Sequence, residues 1–501
     1  MKRDLPRSIG FWGGSGIMVG IMIGSGIFRT PASIAAEMGD ARLILLLWAV
    51  GGTLSLAGAL TFAELGTMFP RSGGIYAYIY EGLGGTVAFV FGWTYMLLGK
   101  PLAASAITMV CAEHFNKLLG LNWNVPAMTC LVLIVLTAIN TVRVQLGAGL
   151  AIFLTSLKAL ALAAIIVLGL LLTGGSSENL AAVDSPKPFL AALAPVLAAV
   201  LWTYDGWADV TSVAGEVREP GRMLPRILLV GTAVTAVLFV AVNATYIYVL
   251  PLSEMRGVPW VVPLVMERLC GPVGGTLATI LVMISTLGAS HGSIITGARV
   301  TFAQARDGLL FRVLGRIHPK YQTPYVSLWC QAILACVAVC FLKQFERLTG
   351  GFVFTMWIFY AGAAVSLIVL RIRRPDLSRP CRCWGYPILP VLFIAASALM
   401  TVLAIKASPK ETLFWLAVLV VGTPAYYLWR WLVPIEQCES VGMCPGCGCN
   451  LYGLRDQRCP ECGRPFTFED IRSTPQSLGF MVAEPQVEES SEPEKPTGER
   501  H

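Results

Sequence analysis

Four ionisable side chains stand in runs of sequence where water is not expected. Lys158 lies in GAGLAIFLTSLKALALAAIIVLGLLL, eleven residues beyond Gly147, and so about 16 Å along a helix. Lys100 in FGWTYMLLGKPLAASAI, Asp205 in PVLAAVLWTYDGWADVTSVAGEV and His291 in ISTLGASHGSIITGAR are placed similarly. An ionised group at the centre of a bilayer costs about 2.5–3.5 kcal/mol on insertion scales, so each needs a partner, a cavity or a task. An amine at such a depth can hold carbonyl oxygens, a carboxylate can hold an ammonium group, and an imidazole can carry a proton. Each residue also has a structural reading. Lys158 can snorkel, although a snorkelling lysine belongs nearer a helix end. Lys100 can satisfy a carbonyl left free by Pro101, Asp205 can cap a helix, and His291 can sit neutral in a hydrogen bond.

A second kind of chemistry is carried by backbone. The stretch VGIMIGSGIFRTP places Gly24-Ser25-Gly26 inside an apolar run, and Asp205-Gly206 interrupts another between Tyr204 and Trp207. Glycine costs about 1 kcal/mol per helix position, and a backbone group left unpaired in lipid costs several. A break survives there only if its N–H and C=O groups face protein, water or a ligand. Close packing of small residues is one explanation. Two breaks offer another: half-helix N-termini present N–H groups to a carboxylate, and the ends of the preceding halves present carbonyls to an ammonium group. A zwitterionic amino acid fits that arrangement. Apart from Asp205 no acidic side chain is evident at the breaks, so neutral amino acids are the expected ligands.

The elements that must position these residues follow from composition. Of 501 residues, 55% are hydrophobic and 13% charged, with a mean hydropathy of +0.67. A chain of this size with so little charge is expected to be an all-α polytopic membrane protein in a lipid bilayer. Windows of about 20 apolar residues give twelve spans near 9–36, 43–69, 86–112, 126–143, 147–172, 190–215, 227–250, 273–302, 325–342, 349–370, 387–406 and 411–432. The breaks fall in the first and sixth, as expected for two inverted five-helix repeats. The first apolar segment continues past the length of a signal-peptide core, so no cleavable signal is expected. Lys2, Arg3 and Arg7, with the Arg-rich loops around Arg218–Arg226, Arg299–Lys320 and Arg371–Arg382, place both termini in the cytoplasm of a cell (inner) membrane. The net charge of +7 reflects this bias and does not point to nucleic acid.

Four motifs, IGSGIFRTP, GALTFAELGTMFPRSGGIYAYI, YDGWADVTSVAGEVREPGRMLPR and GARVTFAQARDGLL, resemble the amino acid–polyamine–organocation superfamily, and within it the L-type amino-acid transporters. The resemblance runs from about residue 8 to 432. It implies a LeuT-type fold with the substrate held at the two breaks, by Ile23, Gly24, Ser25 and Gly26 and by Thr203, Tyr204, Asp205 and Gly206. It also implies that Trp202 is an aromatic gate, where ordinary aromatic packing is the alternative. Lys158 matches a lysine that takes the place of a sodium ion, bridging the first break to the eighth helix, where Ser290 and His291 are candidate coupling residues. Lys100 matches a cation that selects substrates in some members. Arg and Glu in FPRSGG and EVREPGRMLPR are either gates or solvated loop charges. Some relatives carry a partner subunit on a disulfide near the third and fourth helices. Cys111 is the one cysteine near that region, and no obligatory partner is expected.

Of the fourteen cysteines, Cys111, Cys130, Cys270, Cys330, Cys336 and Cys340 read as small buried hydrophobes in or beside the spans. Cys381 and Cys383 stand in an Arg-rich loop. Beyond the transporter domain (1–434), Cys444-x2-Cys447 and Cys459-x2-Cys462 are separated by eleven residues, with glycine after each second cysteine. That pattern resembles a zinc ribbon (435–472) in which four thiolates hold structural zinc, with no open catalytic position; disulfides are disfavoured in a reducing compartment. An acidic, Pro- and Ser-rich tail (473–501) is expected to be disordered. No nucleotide loop or other enzyme signature is present, and transport itself needs no cofactor. The functions left are an amino-acid carrier working by alternating access without sodium, as exchanger or proton symporter, an amino-acid sensor signalling through the ribbon, and a channel. Two broken helices at one central site suit an occluding carrier better than a channel.

Overall fold

The computed structural model describes residues 7, 9–142, 147–172, 175–181, 186–256 and 258–432. The four knuckle cysteines and the acidic tail lie outside the described residues. Among the described residues the chain is helical, with one isolated bridge between Ile9 and Val217. Twelve helices are long and apolar enough to cross a membrane: Phe11–Glu37, Ala41–Met68, Gly85–Leu119, Val125–Val142, Ile152–Leu171, Phe189–Glu216, Pro220–Val249, Val261–Arg306, Tyr325–Leu342, Phe345–Arg373, Ile388–Ala407 and Pro409–Trp431.

Most ends agree with the hydropathy windows; the seventh span begins early, at Pro220 rather than 227, and two other large departures have physical causes. The third span continues to Leu119 because its last turns, carrying Glu113, His114 and Lys117, remain helical after the apolar run has stopped. The eighth begins at Val261 because a preceding helix is joined to it across a kink at Gly271, where φ is 70° and Pro272 follows. Proline at the first position of the second segment costs no hydrogen bond there.

The breaks are as sharp as the glycines suggested. The first span consists of Phe11–Met22 and Gly26–Glu37, with Ile23 at φ −79°, ψ 64° between them. The sixth consists of Phe189–Tyr204 followed by a 3-10 segment, Trp207–Glu216, and Gly206 turns the chain at φ 115°. A Cβ on Gly206 would stand 2.9 Å from the Ile21 side chain and 3.1 Å from the Met22 nitrogen. Glycine therefore serves both the backbone angle and the approach of one break to the other.

Burial separates core from rim. The apolar window of the third span is 94% buried and that of the first 78%, against 22% for the fifth, eleventh and twelfth. The second span packs along the seventh, the third along the eighth, and the first half of span one against the fifth and seventh. Exposed Leu, Val and Phe on the rim helices, such as Leu170, Ile333 and Phe341, form the apolar outer band that a bilayer requires. The cysteines depart from expectation here: Cys111 is buried, but Cys130, Cys330 and Cys336 are half-buried, and Cys270 and Cys340 are exposed. A small apolar side chain is no less at home facing lipid than facing core, so burial was not required of it.

Near the end of span two, Glu64 is fully buried and accepts hydrogen bonds from Arg371 Nε (2.9 Å), Arg371 Nη2 (2.6 Å) and the Cys383 backbone N–H (2.7 Å), with Arg379 Nε at 3.4 Å. One carboxylate thus ties the second span, the tenth span and the loop after it. Burial, reinforced by the charge of Glu64, pushes the Cys383 thiol up to about 11. Glu64→Gln strips the arginines of their counter-charge, and breaking a buried pair costs about 3 kcal/mol. The variant is expected to melt at lower temperature in detergent and to expose Cys383 to faster alkylation by a maleimide; an unchanged melting curve and alkylation rate would remove Glu64 as the tie.

Candidate functional site

The two breaks meet at a narrow cavity. Four spans line it. Ile21, Met22, Gly24, Ser25 and Gly26 come from the first, Lys100, Ala103 and Ile107 from the third, Trp202, Thr203, Asp205 and Asp209 from the sixth, and Ser293 from the eighth. Three lining polar atoms, Ser25 Oγ, Trp202 Nε1 and Ser293 Oγ, are buried without a hydrogen-bond partner in the protein. A buried polar group left unsatisfied costs about 1–3 kcal/mol. Three of them around one cavity leave hydrogen-bonding capacity that a polar ligand would satisfy.

Carbonyls at and before the first break are held from outside. Lys158 Nζ donates to the Gly20 carbonyl (2.9 Å), Ser285 Oγ to the Ile23 carbonyl (2.9 Å) and Thr155 Oγ1 to the Gly16 carbonyl (2.8 Å). The lysine is 3% exposed and lies behind the first span, away from the cavity wall. A Cβ built on Gly288 of the eighth span would be 3.4 Å from Lys158 Nζ, so the amine sits where the first, fifth and eighth spans meet. Ser290, placed beside it by the sequence reading, bonds Thr108 instead (2.6 Å). His291 is half-buried on the next position and makes no hydrogen bond among the described residues.

The second half of span one is joined side chain to side chain to the first half of span six. Thr30 Oγ1 donates to the Gly26 carbonyl (3.0 Å) and meets Thr203 Oγ1 at 2.9 Å, while Thr203 reaches back to Ala199 (2.8 Å). Asp205 is the C-cap residue of the first half of span six, and Gly206 is the N-cap of the second, with no side-chain capping bond. Asp205 is therefore not the helix cap proposed for it: its carboxylate accepts the Tyr360 hydroxyl at 2.6 Å. Tyr204 points away from the cavity and donates to the Trp48 carbonyl (3.0 Å).

Trp202 covers one side of the cavity. Its ring stands edge-on to Phe352 (5.2 Å) and Phe345 (6.1 Å), and Arg29 lies over Phe345 at 5.6 Å. Arg29 in turn pairs with Glu113 (3.0 Å), whose other bond is from Trp260 Nε1 (3.2 Å). On the far side of the breaks, Arg299 and Glu216 form a buried two-point pair at 2.6 and 3.2 Å, and Tyr76 donates to Asp307 (2.9 Å). Of the motif charges, Glu216 is thus buried and paired, and Arg71 holds Glu81 at 3.0 Å.

Lys100 does not serve a carbonyl near Pro101; Ser105 Oγ takes the Pro101 carbonyl (2.7 Å). The Lys100 amine lies 2.6 Å from both oxygens of Asp209. Asp209 corrects the expectation of a single acidic side chain at the breaks, and its place in the same apolar run, four positions after Asp205, was the available signal. Ser285 and Ser293, with no signal beyond small polar residues at helical spacing in an apolar run, also went unmarked.

Comparison with known proteins follows this geometry. Residues 9–426 match the family model described as amino acid permease. The chain is 30% identical to the b(0,+)-type amino acid transporter 1 of Rattus norvegicus, over 87% of this chain and 91% of the relative. It is 28% identical to the serine/threonine exchanger SteT of Bacillus subtilis (strain 168), over 85% and 97%. With the large neutral amino acids transporter small subunit 2 of Homo sapiens it shares 29% identity, over 85% and 80%.

A Cβ on Gly26 would meet Thr203 at 2.6–2.9 Å, and one on Gly24 would meet the Ile21 carbonyl at 2.8 Å. Gly26→Val and Gly24→Val are therefore expected to insert into membranes at near wild-type levels yet lose amino-acid binding, measured by ligand-induced thermal stabilisation. Wild-type stabilisation in either variant would show that the breaks do not need close approach.

Proposed function

As the chain belongs to the amino acid permease family across residues 9–426, we propose that it carries small neutral L-amino acids through a cell membrane by alternating access, without sodium. It is a multi-pass membrane protein, and its relatives are transporters. The observation that carries the reading is the cavity between the two breaks, with Ser25, Trp202 and Ser293 unpartnered on its wall. In this reading the substrate carboxylate meets the N-terminus of Gly26–Glu37 and the ammonium group meets Asp205 and the carbonyls that end the preceding halves. Trp202 acts as the gate that closes over it. A LeuT-type arrangement of two inverted five-helix repeats accounts for breaks in the first and sixth spans. The serine/threonine exchanger among the relatives favours serine or threonine and an exchange mode, with proton symport the alternative.

Lys158 is proposed to stand where a coupling sodium would, its amine holding Gly20 at the junction with the eighth span, where Ser290 and His291 remain candidate coupling residues. The Arg-rich loops favour cytoplasmic termini. Cys111 is buried within its helix, and the loop 120–124 holds no cysteine. Both facts favour operation without a disulfide-linked partner, although one human relative is named a small subunit. Cys444, Cys447, Cys459 and Cys462 are proposed, on spacing alone, to hold one structural zinc. Metal analysis of the purified full chain is expected to give about one zinc per chain, and a metal-free sample would remove the ribbon.

The transport reading is tested by counterflow of labelled glycine, serine, threonine and leucine into proteoliposomes, in sodium and in choline buffers. Serine or threonine uptake is expected to lead and to be equal in the two buffers. Lys158→Ala, checked for monodispersity, is expected to lose uptake by at least about tenfold, because the amine that holds the Gly20 carbonyl is gone. An added inward proton gradient should leave the exchange rate unchanged. Strict sodium dependence, or wild-type turnover by the variant, would overturn the role of Lys158. Binding without any counterflow would favour a sensor.

A further inference from the structure

The pair formed by Lys100 and Asp209 stands on the cavity wall, with both carboxylate oxygens 2.6 Å from one amine and side-chain exposures of 4% and 9%. Two features aim the lysine there. A π-helical turn, Tyr95–Gly99, ends at the residue before it, and such a turn rotates the following side chains relative to a regular helix. Gly297 of the eighth span makes room for its stem: a Cβ there would lie 2.7 Å from Lys100 Cγ and 3.0 Å from its Cβ. The amine is thus directed across the cavity to the sixth span.

A buried ion pair is a poor way to join two helices, since apolar side chains of equal volume do so at least as well. On the wall of a binding cavity it acquires another use. We propose that the Lys100–Asp209 pair sets the charge selectivity of the site, Asp209 cancelling the lysine charge so that neutral side chains are admitted and charged ones refused. This rests on the reading that the substrate main chain sits at the two breaks. An acidic side chain would have to displace Asp209 from the amine in a cavity that already holds Asp205. A basic one would have to displace Lys100. Asp205, held by the Tyr360 hydroxyl, stands at the break itself, where the main-chain ammonium of a substrate balances it. Specificity then comes from refusal as much as attraction.

The test uses the full chain in proteoliposomes loaded with serine, following uptake of labelled serine against external glycine, glutamate, free lysine or leucine. Glycine has no side chain and reports main-chain anchoring alone. In the wild type, glycine should compete and glutamate and free lysine should not. Asp209→Asn leaves Lys100 unbalanced, and the inhibition constant of glutamate relative to glycine should fall about tenfold or more. Lys100→Met leaves Asp209 unbalanced, and the same ratio for free lysine should fall by a similar factor. The double variant removes both members of the pair and leaves Asp205 on the Tyr360 hydroxyl, so it is the one most able to fold if a single variant does not. It should again refuse both charged competitors, and leucine should gain about tenfold relative to glycine because the wall is now uncharged. Ratios that stay at wild-type values in folded variants, with all competitors weakened alike, would reduce the pair to a structural tie and overturn the proposal. No counterflow of any amino acid by the wild type would instead overturn the transport reading, and this inference with it.

Discussion

Everything in this fold depends on a backbone rule: a helix may be interrupted within hydrocarbon only where other parts of the protein take up the freed groups. The first break shows what that requires. The freed carbonyls of Gly20 and Ile23 are held by Lys158 and Ser285, so two further spans must sit against the first half of span one. The second half is held by another route, the Thr30–Thr203 pair, which binds it to span six. Each half of the first span therefore belongs to a different neighbourhood. The break is where the two neighbourhoods adjoin, and the cavity opens there.

The same logic governs charge. Buried or half-buried ion pairs join the spans at several levels: Arg29 with Glu113, Lys100 with Asp209, Arg299 with Glu216, and Arg371 with Glu64. None is a bargain in free energy over apolar packing, but each has a definite partner, and partners can be exchanged. An apolar contact between helices in lipid is nearly indifferent to sliding, because lipid is as apolar as the neighbouring helix. A pair with fixed geometry is not. Pairs lie above and below the breaks, and Trp202 and its aromatic neighbours stand between Arg29 and the cavity.

How much of this was legible in sequence follows from the range of each force. Spans were legible because hydropathy is summed over about 20 residues, and the breaks because Gly-Ser-Gly and Asp-Gly are local. Lys158 and Lys100 were legible as anomalies, since a charge in an apolar run is conspicuous whatever its partner. The partners were not. Asp209 faces Lys100 across 109 residues of chain and Ser285 faces Ile23 across 262, and no local pattern encodes either pairing. Ser290 was chosen for adjacency to His291, yet the turn of the helix carries it to Thr108. Asp205 resembled a cap because Asp so often is one, but the residue in the cap position is Gly206, whose positive φ the turn demanded.

Lys158 and a sodium ion differ in one respect that bears on energetics. A sodium ion at this junction would arrive and leave with each cycle, and its gradient would do work. An amine on a covalent stem supplies the same positive charge to the same carbonyls but never leaves the protein. On the proposed reading, the structural part of the ion's task, holding the first break, is kept, and the thermodynamic part is lost. A carrier built this way has no sodium gradient to draw on. Unless the amine passes its proton across, net flux can follow only the gradients of the substrates, and efficient cycling then requires that the empty carrier reorient more slowly than the loaded one. On the reading proposed above, the unpartnered Ser25, Trp202 and Ser293 atoms give a reason for that asymmetry, because a bound amino acid would satisfy them and an empty site does not. Exchange would then follow from replacing an ion by a residue, and the hydrogen bond from Lys158 to Gly20 is the observation that supports it.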